Sequence, residues 1–229
     1  MPVYQLSDKL IFPPPHLAEN DGLLAFGGDL SARRLLLAYS MGIFPWYSED
    51  EPIMWWSPNP RFVMFPKDIK VSKSMKQVFK KQLFRCTLDK NFSAVIRNCQ
   101  QKKRVGQYGT WITEEMLDAY EYLHDIGLAH SVEVWNKNDE LVGGLYGVAL
   151  GSCFFGESMF THESNASKAG YITLVKQLQK WQFDLIDCQI HTKHLESLGA
   201  KSIERTIFIE SLQKCLQQKT IQKKWSFDI

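Results

Sequence analysis

Hydrophobic and polar positions repeat with two different periods in the second half of the chain. Apolar residues at helical spacing lie on one stripe of residues 165–181, and a last helix is predicted at residues 208–217. Runs typical of strands are found at residues 130–135, 141–150, 153–159 and 183–190. The middle two runs would form a hairpin. The pattern predicts a sheet with helices packed on it.

Three hydroxyl residues mark predicted helix starts. Ser31, Ser72 and Thr113 each precede apolar residues at helical spacing, and each side-chain oxygen can accept a hydrogen bond from a free backbone N–H group. Gly42 and Gly127 are predicted to end the first and third of these helices. In the helix after Ser72, three lysines share one face while apolar residues turn inward; they are Lys73, Lys76 and Lys80.

Residues 39–61 combine four prolines with three tryptophans, two tyrosines and a phenylalanine. Each proline removes a backbone donor and fixes φ, which disfavours both a core strand and a helix. The stretch is therefore predicted to be a rigid loop system whose aromatic rings could stack on bases or line an apolar ligand site. The alternative is that these rings fill a small core beneath a long loop.

The predicted organisation is a small N-terminal α/β domain at residues 1–65 and a larger domain at residues 66–229. The first part is rich in loops, and residues 66–70 have the composition of a linker. The fold class is α/β in the broad sense that includes α+β. The chain has neither internal repeats nor low-complexity tracts.

The composition is that of an ordinary globular protein, with 45% hydrophobic and 23% charged residues. No apolar run approaches the length of a membrane span, and the first residues lack the pattern of a secretory signal. Five scattered cysteines without a C-x-x-C motif favour reduced thiols over a disulfide frame or a zinc cluster. A cytoplasmic protein without membrane association is expected.

Positive charge is concentrated in one segment. Residues 67–104 contain twelve Lys or Arg against two Asp, a net +10 within a chain of net +2. Segregation on this scale indicates a polyanionic partner, bound through phosphates with little sequence preference. A basic face that is merely solvated is the alternative.

Three polar residues near predicted strand ends could carry chemistry. Alternation along residues 183–190 places Asp187 and Gln189 on one face, where a partly desolvated acid could hold or deprotonate an amine. The alternative is that both are satisfied by loop backbone. Glu157 follows an apolar strand and could be a site residue or a helix-cap partner. The glycines of residues 143–156 predict bulges or close approach of a ligand.

Two other kinds of site have little support. His191 and His194 resemble a ligand pair, but no partner set at metal spacing accompanies them, so no metal is expected. The chain has no G-x-x-x-x-G-K-[ST] and no G-x-G-x-x-G motif, so a nucleotide cofactor is not indicated.

Long and unusual motifs occur in a fixed order along almost the whole chain, over roughly residues 5–210. They are GGDLSARRLLLAYSMGIFPWYSEDEPIMWWSPNPR, GTWIT, AHSVEVW, LVGGLYGVALGSCFFGESMF, NASKAG, LIDCQ and HLESLGA. Together they closely resemble the bacterial leucyl/phenylalanyl-tRNA–protein transferases.

The resemblance implies an aminoacyltransferase that needs no cofactor. Such enzymes move leucine or phenylalanine, and methionine less well, from aminoacyl-tRNA to proteins with an N-terminal Arg or Lys. The product is an N-degron that marks the protein for degradation. The implied fold of the larger domain is that of GCN5-type N-acetyltransferases, with a mixed sheet flanked by helices. A monomer is expected.

The resemblance also implies roles for individual residues. Glu157 would lie by the aminoacyl group, and Asp187 with Gln189 by the attacking amine; these three are the catalytic candidates. The rings expected around the terminal adenosine are Trp46, Trp111, Tyr39 and Tyr120. The expected wall of the leucine or phenylalanine pocket is Leu145, Phe154, Gly156, Leu174 and Ile186. The basic residues expected to bind tRNA are Lys73, Lys76, Lys80, Lys81 and Arg85.

Two rival functions use the same features. An acyl-CoA-dependent N-acetyltransferase could have the same fold, although residues 163–170 (ESNASKAG) lack that fold's usual pyrophosphate-binding pattern, [QR]-x-x-G-x-[GA]. A non-catalytic RNA-binding module would use the basic segment and the tryptophans, but it leaves Asp187 and Gln189 without a role.

Overall fold

A computed structural model describes residues 3–102 and 112–227 of the chain. Within these residues, two sheets and seven α-helices are present. The strands are β1 (Tyr4–Leu6), β2 (Leu23–Gly27), β3 (Phe44–Pro45), β4 (Met54–Trp56), β5 (Arg61–Met64), β6 (Arg85–Leu88), β7 (Ala129–Trp135), β8 (Leu141–Leu150), β9 (Cys153–Thr161), β10 (Leu185–Asp187) and β11 (Lys201–Ile203). The helices are α1 (Ala32–Ser40), α2 (Lys73–Lys80), α3 (Phe92–Gln101), α4 (Glu114–Asp125), α5 (Ala166–Lys180), α6 (Lys193–Ser197) and α7 (Arg205–Leu216).

The larger sheet has seven strands in the order β11-β5-β10-β9-β8-β7-β6. The β8–β9 pair is the predicted hairpin, and β9 pairs with β10 in parallel, so the sheet is mixed. Strand β5 pairs with both β10 and β11 and therefore belongs to this sheet. The boundary after residue 65 stays a prediction, and a division that keeps both sheets whole would fall before Arg61.

The smaller sheet has four strands in the order β1-β2-β4-β3. Strands β3 and β4 lie inside the stretch of prolines and aromatic residues, which is therefore not entirely loop as predicted. Prolines are tolerated there because β3 is a two-residue edge strand and β4 lies between two of the prolines. Trp55 is fully buried, and its indole N–H donates to the carbonyl of Gly27, so this ring fills core as the alternative interpretation held.

The predicted helix caps are confirmed. The side chains of Ser31, Ser72 and Thr113 accept hydrogen bonds from backbone N–H groups at the starts of α1, α2 and α4. Strand β10 is shorter than the predicted run of residues 183–190, because the chain leaves the sheet after Asp187.

Two hydrophobic cores lie on opposite faces of the larger sheet. One is shared by α1, α3, α4, α7 and the smaller sheet, and the other by α2 and α5. Neighbouring residues of β9 alternate between them, with Phe155 in the first core and Phe154 in the second. The predicted mixed sheet flanked by helices is confirmed.

The β8–β9 hairpin contains a bulge at Glu157. Tyr146 faces Ser158 while Gly147 faces Gly156, so Glu157 has no partner residue on β8. An extra residue of this kind bends the strand and redirects its side chain. The bulge brings Gly147 so close to the neighbouring strand that a Cβ atom there would lie 2.1 Å from the carbonyl oxygen of Phe155.

Gly147→Ala is therefore expected to lower the free energy of unfolding by about 3 kcal/mol, because the overlap is with backbone that cannot move aside easily. Urea denaturation would measure the change. Gly156→Ala is the matched control, since the nearest atom to its added Cβ is 3.6 Å away. Equal stability of the two variants would contradict the predicted overlap.

Candidate active site

A cavity of about 480 Å³ opens where strands β9 and β10 separate. Their pairing ends at Asp187 and Phe155, whereas β9 continues to Thr161. The space beyond this last pair is lined by the residues that follow it in each segment, including Gly156 and Glu157 after Phe155 and Gln189 after Asp187. The cavity therefore exists because one of two adjacent parallel strands stops early.

One wall of the cavity is apolar and matches most of the predicted pocket. Leu145, Phe154, Gly156 and Ile186 line it. The remaining predicted residue, Leu174, is buried in the second core on α5 and is not among the lining residues. That part of the prediction is wrong because α5 turns Leu174 into the core, while Ser167 and Tyr171 of the same helix reach the cavity.

Glu157 places a carboxyl group in this otherwise largely apolar wall. Its Oε1 accepts hydrogen bonds from the hydroxyl of Tyr39 and the side-chain amide of Gln189, both at 2.8 Å. Its Oε2 accepts a hydrogen bond from the hydroxyl of Tyr120 at 3.1 Å. The oxygen atoms of the two tyrosine hydroxyls also lie in contact with each other. Three donors from three separate segments therefore fix this carboxyl group at the bulge.

Burial raises the pKa of Glu157 to about 7, while hydrogen bonds from Tyr39 and Tyr120 act in the opposite direction. Burial of Tyr39 and Tyr120, together with the charge of Glu157, raises the pKa of both phenols well above 10.0. The phenols therefore remain neutral donors. Glu157 is divided between its acid and its carboxylate near neutral pH, which suits a group that exchanges protons with an amine.

Asp187 does not face the cavity. Its carboxylate is fully buried and accepts two hydrogen bonds from Arg61, from Nε at 2.8 Å and from Nη2 at 2.7 Å. The same carboxylate accepts the backbone N–H of Gln189 at 2.9 Å. The expectation that Asp187 lies open to an incoming amine is therefore wrong, because an internal ion pair already occupies it.

Arg61 is a residue of the site that the sequence pattern did not reveal. Its guanidinium lies 4.7 Å from the ring centroids of both Phe44 and Phe208, and only 1% of the residue is exposed. Arginine is seldom this buried unless it is paired. A buried Asp187 requires a cationic partner, so the sequence could have indicated that such a residue exists. It does not indicate which Lys or Arg is that partner.

Gln189 owes its orientation to the backbone. Its φ is +63°, in the left-handed region, just after β10 ends. Its backbone N–H is held by Asp187 and its carbonyl accepts from the N–H of Phe62, while its side chain reaches Glu157. Asp187 therefore positions Gln189, and Gln189 in turn contacts the carboxyl group that faces the cavity.

The aromatic residues predicted around the adenosine are only partly brought together. Trp46 lines the cavity, with its ring beside that of Trp56 at 5.9 Å. Tyr39 and Tyr120 do not line it; both are fully buried behind Glu157. Trp111 lies outside the described residues.

The five basic residues predicted to bind RNA are exposed, but none of their side chains is among those lining the cavity. Arg85 forms an exposed ion pair with Asp139. The five residues are Lys73, Lys76, Lys80, Lys81 and Arg85.

Metal-binding clusters and membrane spans are both absent from residues 3–102 and 112–227. No group of three or more His, Cys, Asp or Glu side chains there is placed to hold a metal ion. No helix in the same part of the chain has both the length and the apolar character needed to cross a membrane. The five cysteines are all unbonded thiols.

The arrangement as a whole is suited to handling an amine beside an apolar group. A carboxyl that titrates near neutral pH can accept a proton, and the adjacent wall can hold an aliphatic or aromatic side chain. Gln189 lies between the carboxyl group and the positioning ion pair.

The solved structures that align with this chain are only distantly similar to it. The structure of L-PGS from Bacillus licheniformis aligns with a TM-score of 0.40 and 9% identity, covering 76% of this chain and 57% of that one. A GCN5-related N-acetyltransferase-like protein from Streptococcus suis 89/1591 aligns with a TM-score of 0.35 and 17% identity, covering 71% of this chain and 60% of that one.

Sequence comparisons are much closer. Leucyl/phenylalanyl-tRNA–protein transferases from Syntrophus aciditrophicus and Syntrophobacter fumaroxidans are 56% and 52% identical to this chain. The alignments cover 99% and 98% of this chain and 94% and 96% of those proteins. Residues 63–213 match the family model described as leucyl/phenylalanyl-tRNA protein transferase, and residues 28–59 match that of its N-terminal domain. The chain therefore belongs to the leucyl/phenylalanyl-tRNA–protein transferase family.

Proposed function

We propose that this protein transfers leucine or phenylalanine, and methionine less well, from aminoacyl-tRNA to proteins with an N-terminal Arg or Lys. A peptide bond forms, and the acceptor gains an N-degron for proteolysis. The observation that carries the assignment to this site is the carboxyl of Glu157 in the apolar cavity, held by Tyr39, Tyr120 and Gln189. Family membership supports the substrates.

The apolar wall accommodates the side chain of the transferred amino acid. Leu145, Phe154 and Ile186 supply aliphatic and aromatic surface. Leucine, phenylalanine and methionine all have an unbranched Cβ, so their side chains can approach this surface closely. Discrimination among leucine, phenylalanine and methionine in such a wall is modest, since methylene-scale differences change binding by about 1–3 kcal/mol. This explains how one enzyme can use three amino acids.

Glu157 acts as proton acceptor for the attacking amine. The α-amino nitrogen of the acceptor attacks the ester carbonyl, a C–N bond forms, and the bond from the carbonyl carbon to the ribose oxygen breaks. The amine proton passes to Glu157 and is then delivered to the departing ribose oxygen, so no net proton is consumed. The pKa of Glu157, about 7, and the 7.7–8.0 of a free α-amine leave an appreciable share of both groups unprotonated near neutral pH, as this step requires.

The donor ester supplies the chemical driving force, so alignment and removal of water are the main tasks of the site. Asp187 has a positioning role, because its bond to the backbone of Gln189 fixes the amide that reaches Glu157. Trp46 is proposed to stack on the terminal adenosine.

The exposed basic residues of α2 and β6 support binding of the tRNA acceptor stem through its phosphates. The residues concerned are Lys73, Lys76, Lys80, Lys81 and Arg85. A cytoplasmic location is proposed because aminoacyl-tRNA is the donor, and a monomer remains the proposal for assembly.

The test of the proposed function is transfer of labelled leucine from charged tRNA to a peptide that begins with Arg. A peptide that begins with Ala and a reaction with acetyl-CoA instead of tRNA are the controls. Label on the Arg peptide alone would support the transferase. Salt-sensitive tRNA binding without transfer would favour the RNA-binding module, and acetylation would favour the acetyltransferase.

Gly156→Ala tests the pocket. The added methyl group meets no atom closer than 3.6 Å, so the fold should be kept. Because Gly156 lines the cavity, the methyl group should also reduce the volume available to the substrate side chain. Transfer of phenylalanine is expected to fall about tenfold more than transfer of leucine, because the larger side chain loses its space. Competition between the two charged tRNAs would measure the ratio of kcat/KM. An unchanged ratio would place the side chain elsewhere.

A further inference from the structure

His194 has a ring nitrogen without a partner at the cavity wall. The residue lies in α6 and lines the cavity, and its Nε2 is buried with no hydrogen-bond partner among the described residues. A buried polar atom left unpaired costs free energy, and a ligand that bonds to it would recover that cost.

Two ammonium groups lie close to this imidazole. The pKa of His194 is lowered, first by burial and then by the positive charges of Lys168 and Lys102. Lys102 itself lines the cavity, and its Nζ donates to the carbonyl of Met159 at 3.2 Å. Lys102 and the unpaired ring nitrogen of His194 therefore share the lining of the cavity, and the charge of Lys168 acts on the same imidazole. A negatively charged ligand group would be stabilised there.

This basic side is separated from Glu157 by a short distance along β9. Met159, whose carbonyl holds Lys102, follows Glu157 by two residues, which corresponds to about 7 Å of strand. The hydroxyl groups of Ser167 and Thr192 line the cavity as additional donors. A ligand that spans the cavity would therefore meet a carboxyl at one place and a cationic group at another.

We propose that Lys102 and His194 bind the phosphate that joins the terminal adenosine of the donor tRNA to the preceding nucleotide. The inference rests on the proposed function, which places the aminoacylated ribose at Glu157. The 5′-phosphate of a nucleotide lies on the other side of the ribose from its acylated 3′-hydroxyl. A nucleotide with its ester at Glu157 can therefore direct its phosphate towards the basic side.

The test uses two unreactive ligands that differ in one group. Each has phenylalanine joined to the 3′ position of adenosine through a stable amide, and one carries a 5′-hydroxyl and the other a 5′-methylphosphate diester. Calorimetry on the wild-type protein is expected to show about tenfold tighter binding of the phosphorylated ligand, as for charge-assisted hydrogen bonds. His194→Leu and Lys102→Met are each expected to reduce this ratio to about twofold while leaving the affinity for the 5′-hydroxyl ligand nearly unchanged.

Lys193→Met is the matched control, because it removes one exposed positive charge from the same helix as His194 without altering the lining of the cavity. The tenfold ratio should persist in this variant. A ratio near one in the wild type, or an undiminished ratio in both His194→Leu and Lys102→Met, would overturn the phosphate site. Because the ligands do not react, this outcome is independent of whether transfer to the Arg peptide is observed.

Discussion

Glu157→Gln is expected to lower kcat for transfer by at least about a hundredfold, because the glutamine cannot accept the proton of the attacking amine. Its side chain keeps the size of glutamate and can still bond to Tyr39 and Tyr120, so the cavity should be preserved. Single-turnover transfer from charged tRNA to an Arg peptide would measure the loss. A variant that retains wild-type kcat would remove Glu157 from the chemistry.

The pH profile distinguishes proton transfer from a structural role of the same residue. Wild-type activity requires the deprotonated form of both Glu157, with its pKa of about 7, and the acceptor amine, so kcat/KM should rise with pH through two titrations. Below about pH 6.5 the logarithmic slope should approach two. In Glu157→Gln only the titration of the amine remains, and a slope of one is expected. A slope of two in the variant would contradict the assignment.

Stability provides an independent control on the same variant. The folded pKa of Glu157, about 7, lies above its ordinary value of 4.5, so the folded state binds more protons between these values. The free energy of unfolding should therefore fall as pH rises from 4.5 to 7, by up to about 3 kcal/mol from this group. Glu157→Gln should lack this loss and be more stable than the wild type at about pH 8. An inactive but more stable variant cannot owe its inactivity to unfolding.

Asp187→Asn is expected to destabilise the protein by about 3–5 kcal/mol, because it leaves the buried guanidinium of Arg61 without its counter-charge. The double variant Arg61→Met/Asp187→Asn removes both charges, while the introduced asparagine side chain can still accept the N–H of Gln189. Most of the lost stability should return in the double variant. Guanidinium denaturation of the two single variants and the double variant would measure the coupling.

Activity of the double variant tests the role of Asp187. If Asp187 only positions Gln189, the folded double variant should retain transfer within about tenfold of the wild type, in contrast to the roughly hundredfold loss expected for Glu157→Gln. A folded double variant that is as inactive as Glu157→Gln would instead support Asp187 as the proton acceptor.

The sequence predicted those regular elements whose signals are local, such as α5 and the β8–β9 hairpin, but not α3 or β6. Ser31, Ser72 and Thr113 cap helices as expected, since a cap depends on a hydrogen bond across three residues. The glycines of the hairpin predicted either bulges or close approach of a ligand, and a bulge is present at Glu157. The pairing of β5 with β10 could not be predicted in the same way, because it joins residues more than 100 positions apart.

The site was harder to predict because its contacts are long-range. Alternation along residues 183–190 placed Asp187 and Gln189 together, but the strand ends at Asp187 and the left-handed φ of Gln189 breaks the alternation. Nothing local in the sequence pairs Arg61 with Asp187, or Tyr39 with Glu157. Four of the five pocket residues implied by the motif resemblance line the cavity, yet the resemblance did not distinguish Leu174, which faces the core, from its neighbours on α5.

The bonds around Glu157 have a consequence for how the enzyme matures after synthesis. Its three donors come from α1, α4 and the residue pair after β10, and the cover over Arg61 comes from β3 and α7. Contacts between such distant parts of a chain form late in folding, since loop closure must precede them. A nascent or partly unfolded molecule therefore lacks an assembled active site. Catalytic activity requires that the whole fold has formed. An enzyme that marks other proteins for degradation is therefore inactive until its own chain has folded.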